Sequence, residues 1–207
     1  LKITKYALCF TGNTYFYKIK ILRQRNSISL FMKHFMLIFI LLFSFSVTYA
    51  QQCTNEEMKL YNMMMQYRKQ RGLPLIPLSK SLTKVSQIHV KDLMENYDQD
   101  NTCNMHSWSS KGSWTTCCYT RDHANASCMW SKPSELSTYQ GYGYEIAHWS
   151  SDEATALSAL EGWKSSSGHH ALIINEGMWN RAWGAVGVGI YGNYAVIWFG
   201  HETDSEK

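Results

Sequence analysis

The sequence predicts an α+β domain in which helices come first and an antiparallel hairpin comes last. Two capped stretches of helical periodicity open the region that folds. Two apolar runs around a two-residue Gly-Asn turn close it. Between them the period disappears, and Ser, Thr, Gly, Trp and Cys dominate from residue 96 to residue 143.

Thr54-Asn55-Glu56-Glu57 has the form of a capping box, and Leu60, Met64 and Tyr67 recur at helical spacing until Gly72. A first helix is therefore expected over 55–71. Leu73-Pro74-Leu75-Ile76-Pro77 cannot continue it, because the prolines lack a donor and bias their neighbours to extended backbone. Ser79 caps a second helix in which Leu82, Val85, His89 and Leu93 share one stripe. His89 sits on that apolar stripe and reads as a packed core histidine, not a ligand. The aperiodic stretch is expected to be a long loop region held by disulfides, and it contains the glycosylation triplet Asn125-Ala126-Ser127, meaningful only in a eukaryotic host. Ser150-Ser151-Asp152-Glu153 reads as a second capping box, opening a helix with Ala156, Leu160 and Trp163 inward and ending at 165–168. A short helical turn follows over 171–175. Ala185 to Ile190 and Tyr194 to Phe199 are the two strands, joined by Gly192-Asn193.

Upstream of this region, Met32-Lys33-His34 leads into the apolar run Phe35 to Phe43, and small residues precede Gln51. That is the pattern of a secretory signal over 32–50, with 1–31 as upstream sequence outside the mature protein and 51–207 as one domain. The apolar run is about half of the roughly 20 residues a membrane-spanning helix needs, so no transmembrane anchor is expected in the mature chain. The whole sequence carries 20 Lys and Arg against 16 Asp and Glu. Seven of the basic residues and none of the acidic ones precede Gln51, which leaves 13 against 16, a net of −3, and no basic footprint for nucleic acid. Secretion, to the extracellular space or a periplasm, makes disulfides the default for Cys53, Cys103, Cys117, Cys118 and Cys128. The odd number leaves one thiol over, and the adjacent Cys117 and Cys118 do not pair with each other without strain.

Taken in order, Tyr67-Arg68 through Leu75, Leu82, His89 to Leu93, His106-Ser107, Gly143 to Ala147, Trp163 to His169 and Gly187-Val188-Gly189 resemble the segments of the CAP superfamily, the SCP/PR-1-like, cysteine-rich secretory proteins. The resemblance covers nearly all of 51–207. It implies a three-layer α-β-α sandwich with an antiparallel sheet and a broad cleft bearing two histidines and two acidic residues. His106 and His169 match the two histidines. The first acidic position falls on Tyr144, with Glu145 one place later, and the second on Ser166 or Ser167, neither of them an acid. Because strand side chains alternate, Glu145 is expected to reach the cleft only where the backbone is irregular.

Two imidazoles and one carboxylate could hold a weakly bound divalent metal such as zinc through His106 and His169, short of the three firm protein ligands of a catalytic site. The functional reading is a secreted binding or signalling module whose extracellular ligand is a small molecule, lipid, glycan or protein, and not an ordinary enzyme. Two rivals stand beside it. One is a cleft hydrolase acting on peptide or cell-wall material, for which Ser166, Ser167, Cys117 or Cys118 would have to serve as nucleophile. The other is a disulfide-built interaction protein with a vestigial cleft. His123, His148 and His201 have no partner pattern and read as surface residues. Trp108, Trp114 and Trp130 read as packing for the disulfide loops, and Trp163, Trp183 and Trp198 as core.

Overall fold

The computed structural model describes residues 52–99 and 102–206; the segments 1–31 and 32–50 lie outside them. Helix α1 spans Asn55–Gln70, and its capping box is complete: Thr54 accepts from the Glu57 amide while the Glu57 carboxylate accepts from the Thr54 amide. Glu57 is buried, and its other oxygen accepts from Ile190 N–H, so this cap also ties the helix to the sheet. The buried Arg68 guanidinium donates to the carbonyls of Pro74 and Ile173 and to Asn175 Oδ1, which fixes the proline-rich linker under the helix. Helix α2 spans Lys80–Asn96. Ser79 caps it by accepting from Leu82 N–H, and the Asp204 carboxylate near the end of the chain accepts from Ser79 Oγ and Ser81 N–H.

Strands β1 (Gly143–Trp149), β2 (Ala185–Tyr191) and β3 (Tyr194–Gly200) form an antiparallel sheet in the order β1-β3-β2. In register, Glu145 faces Trp198 and Tyr144 faces Phe199. Alternation then sorts the side chains. Ile146, Val186, Val188, Ile197 and Phe199 pack on one face with α1, helix α5 (Ala156–Ser165) and helix α6 (Ser167–Ile173). Ala147, Ala185, Val196 and Trp198 pack on the other face with α2 and the disulfide region. The result is the expected three-layer α-β-α sandwich. Helix α2 lies so close to β2 that a Cβ on Gly187 would sit 2.1 Å from the Leu82 backbone. Gly187, and Gly189 against the Ser86 backbone, are there for close approach, a role that hairpin patterning alone does not reveal.

The aperiodic region contains two short helices, α3 (Ala126–Trp130) and α4 (Lys132–Leu136). The bridges are Cys103–Cys118 and Cys117–Cys128, with Cys53 left as a free thiol, so four of the five cysteines among the described residues pair within the chain. The second helix start differs from expectation. Residues 150–154 wrap the hairpin turn instead: Asn193 donates to the carbonyls of Ser150 and Asp152, and Ala154 N–H donates to Gly192 O. The helix begins only at Ala156, under a capping box made by Thr155 and Ser158. Tertiary contacts with the turn outcompete the local cap pattern at 150–153. The next helical turn likewise starts at Ser167, four residues earlier than expected.

Candidate functional site

Strand β1 is an edge of the sheet, and a cleft of about 500 Å³ opens beside it between the two helical layers. From the α2 side it is lined by His106, Tyr119, Met129 and Trp130, and from the α6 side by His169 and Leu172. Tyr144, Glu145 and Ile146 of β1 line it as well, although Tyr144 and Glu145 point to opposite faces. The expectation that only one of the two could reach the cleft without an irregular backbone is therefore corrected. The strand is regular, and the cleft lies past its edge, where side chains of both faces border it.

Glu145 is buried, and both of its oxygens are engaged. Oε2 accepts from His106 Nδ1 at 2.8 Å, and Oε1 lies 2.5 Å from His89 Nδ1. His89 is fully buried on α2, its Nε2–H donates to Ser107 O at 2.9 Å, and its ring stacks on Trp108 with centroids 4.2 Å apart and planes 7° apart. Burial works against a charged His89, but the Glu145 carboxylate outweighs it and raises the His89 pKa. Burial likewise penalises the Glu145 charge, yet His89 and His106 hold its pKa below the usual carboxylate range. Both shifts describe one buried ion pair.

His169 is half-buried. Burial lowers its pKa, and the neighbouring His106 and His148 push the same way, so its neutral form prevails in the fold. Ser166 and Ser167 do not line the cleft: Ser166 is the junction between α5 and α6, and Ser167 is exposed on the first turn of α6. His170 turns away to Tyr67 Oη at 2.7 Å. Two surface assignments also change. His148 is half-buried against Gly162 and Trp163, and His201 stacks on Trp183 at 4.3 Å. Exposed His123 accepts or donates to Tyr119 Oη at 2.7 Å and joins the cleft lining. Of the loop tryptophans, Trp108 is core while Trp130 borders the cleft.

The residue that sequence reasoning missed is His89. Its signal was present, since a titratable ring amid an apolar stripe requires a buried polar partner. A zinc site with three protein ligands does not fit these residues. Glu145 is committed to two imidazoles, the second acidic position holds serine, and among the described residues no group of three or more His, Cys, Asp and Glu is arranged to hold a metal ion. Cysteine nucleophiles at 117 and 118 are excluded by their disulfides.

A model of the cysteine-rich secretory protein family, CAP, matches residues 61–196. This chain belongs to the CAP family. Among solved structures, it resembles an extracellular protein containing an SCP domain from Bacillus anthracis, with a TM-score of 0.51 at 18% identity, over 71% of this chain and 40% of that one. Also similar are an outer surface protein from Borrelia burgdorferi (0.47, 18%, 73% of this chain and 96% of that one) and a cysteine-rich secretory protein from Staphylococcus aureus (0.48, 12%, 73% and 40%). The CAP chain thus spans less than half the length of the Bacillus protein, and that likeness is one of fold. No curated protein matches the chain.

Proposed function

We propose that this CAP domain is a secreted binding module whose cleft takes a small, largely apolar ligand with one polar end. The observation that carries the reading is the cleft itself. Its volume of about 500 Å³ falls in the range of small-molecule sites, and apolar and aromatic side chains surround a few convergent polar groups. Trp130, Tyr144 and Trp179 supply flat contact area, Met129 and Leu172 supply apolar wall, and His106 and His169 meet the polar end. The expected signal at 32–50, the two disulfides, and the lack among the described residues of any helix long and apolar enough to cross a membrane are consistent with export.

Tryptophan fluorescence tests the reading, because Trp130 and Trp179 border the cleft. Titration with 1-decanol should perturb the emission saturably, and Met178→Arg, placing a charge at an exposed position of the cleft lining, should sharply weaken the response while leaving the thermal transition in place. An unchanged response in that variant would refute the assignment of the cleft. Export is checked by intact mass of secreted material, which should begin at Gln51.

A further inference from the structure

The hydrogen bonds around Glu145 fix where the protons lie. The Ser107 carbonyl can only accept, so His89 Nε2 carries a hydrogen. The remaining contact, His89 Nδ1 to Glu145 Oε1, then holds one proton between its two atoms. If that proton is on the ring, Glu145 is a carboxylate and both oxygens accept. If it is on Oε1, Oε2 is still a carbonyl-type oxygen that accepts. In either case the hydrogen of the 2.8 Å contact to His106 must come from His106 Nδ1. The opposite arrangement, a proton on Oε2 pointing at His106, would leave His89 as a cation facing a neutral acid in a fully buried site, which is strongly disfavoured. A neutral His106 therefore has its hydrogen on Nδ1 and a bare lone pair on Nε2. Among the described residues that second nitrogen has no hydrogen-bond partner, and the ring borders the cleft with its side chain 21% exposed.

Resting on the reading of the cleft as a ligand site, we propose that His89 is a positioning residue: through Glu145 it holds His106 as the Nδ1–H tautomer, so that Nε2 meets the ligand as an acceptor and the ligand's polar end carries an O–H or N–H donor. Trp108 completes the device by covering the His89 ring, a face-to-face contact that favours its cationic form. The selectivity is for alcohols, amides and amines over ethers and esters of the same shape. A buried acceptor left unpaired by the wrong ligand costs affinity that a matched donor restores.

The test uses the whole protein labelled with 15N in histidine. Long-range proton–nitrogen correlation at neutral pH should show His106 protonated on Nδ1 and bare on Nε2; finding the hydrogen on Nε2 overturns the proposal. In His89→Leu the His106 signals should become those of a tautomer mixture, and an unchanged single tautomer in folded His89→Leu overturns the role of His89. The wild-type spectrum decides the tautomer even where that variant does not fold. For the ligand, 1-decanol should bind roughly tenfold more tightly than its methyl ether, the effect of about one matched hydrogen bond. Equal affinities overturn the donor preference. Binding by neither probe refutes the apolar-ligand reading of the cleft, and the spectrum alone then decides the tautomer.

Discussion

The two walls of the cleft are built on different physics. On the α2 side, His106 stands at the end of a buried chain of charge-assisted hydrogen bonds through Glu145 to His89, backed by Trp108. On the α6 side, His169 has apolar neighbours such as Leu172 beside it, no hydrogen bond to its ring among the described residues, and a pKa lowered chiefly by burial. One wall is held in a single arrangement before any ligand arrives, because each member of its network fixes the next. The other wall has polar capacity in reserve and can adapt. A site with one fixed and one adjustable histidine sets orientation on the first and tolerates variation on the second.

Breaking the network should have the largest effect. Glu145→Leu strands His89 without its counter-charge, and loss of about 3 to 5 kcal/mol is expected in denaturant unfolding. His169→Leu should change stability by no more than about 1 kcal/mol. Equal losses at the two positions would erase the contrast between the walls. Next, the paired substitution Cys117→Ser with Cys128→Ser opens the loops that carry His106 and Trp108, with an expected loss of about 2 to 5 kcal/mol and a lowered thermal midpoint. Its effect on ligand contact should fall on His106 before His169. Third, Gly187→Ala drives a methyl group into the Leu82 backbone and pushes α2 off the sheet, at an expected cost of about 1 to 3 kcal/mol. Since α2 carries His89, NMR shifts of His89 and His106 should move more than those of His169.

The smallest expected effect is a difference in pH response, in which His89 differs in sign from His169 and His148. The raised pKa of His89 gives a contribution that is full below its ordinary value of 6.5 and is lost as pH rises through the folded value. The lowered pKa of Glu145 gives a contribution that is full above 4.5 and is lost as pH falls. The α2 wall is thus firmest from about pH 4.5 to 6.5. His169 and His148, both lowered, contribute fully above 6.5 and lose their contribution as pH falls below it. Replacing both with Gln should flatten the fall in stability just below pH 6.5, read by urea unfolding across pH. An unaltered profile would remove these two histidines from the pH response.

Much of the fold was legible in the chain. The caps at Thr54 and Ser79, the inward stripe of α2 and the Gly192-Asn193 turn are local signals, and each appears where the pattern put it. The pattern failed at 150–153, where a plausible cap was overruled by Asn193 reaching across from the hairpin. Around the site, His106, His169, Tyr144 and Glu145 were picked out in order along the chain, and all four border one cleft. Ser166 and Ser167 entered only as the positions where the family resemblance implies the second acid, and the helix junction places them away from the cleft lining.

By itself the sequence determined the two opening helices and the closing hairpin, because helix caps, turn glycines and apolar periodicity act over a few residues and need no distant partner; strand β1 and the short helices α3 and α4 carry no such local signal. It also marked the cysteines, while the two cleft histidines were legible only through the family resemblance. Only the tertiary structure decided the partners of Glu145. Residues 89, 106 and 145 meet because α2 lies across the glycines of β2 while β1 is left as the sheet's open edge. Which nitrogen faces which oxygen there is set by the packing distance and register of those two elements, and no local pattern in the chain encodes either.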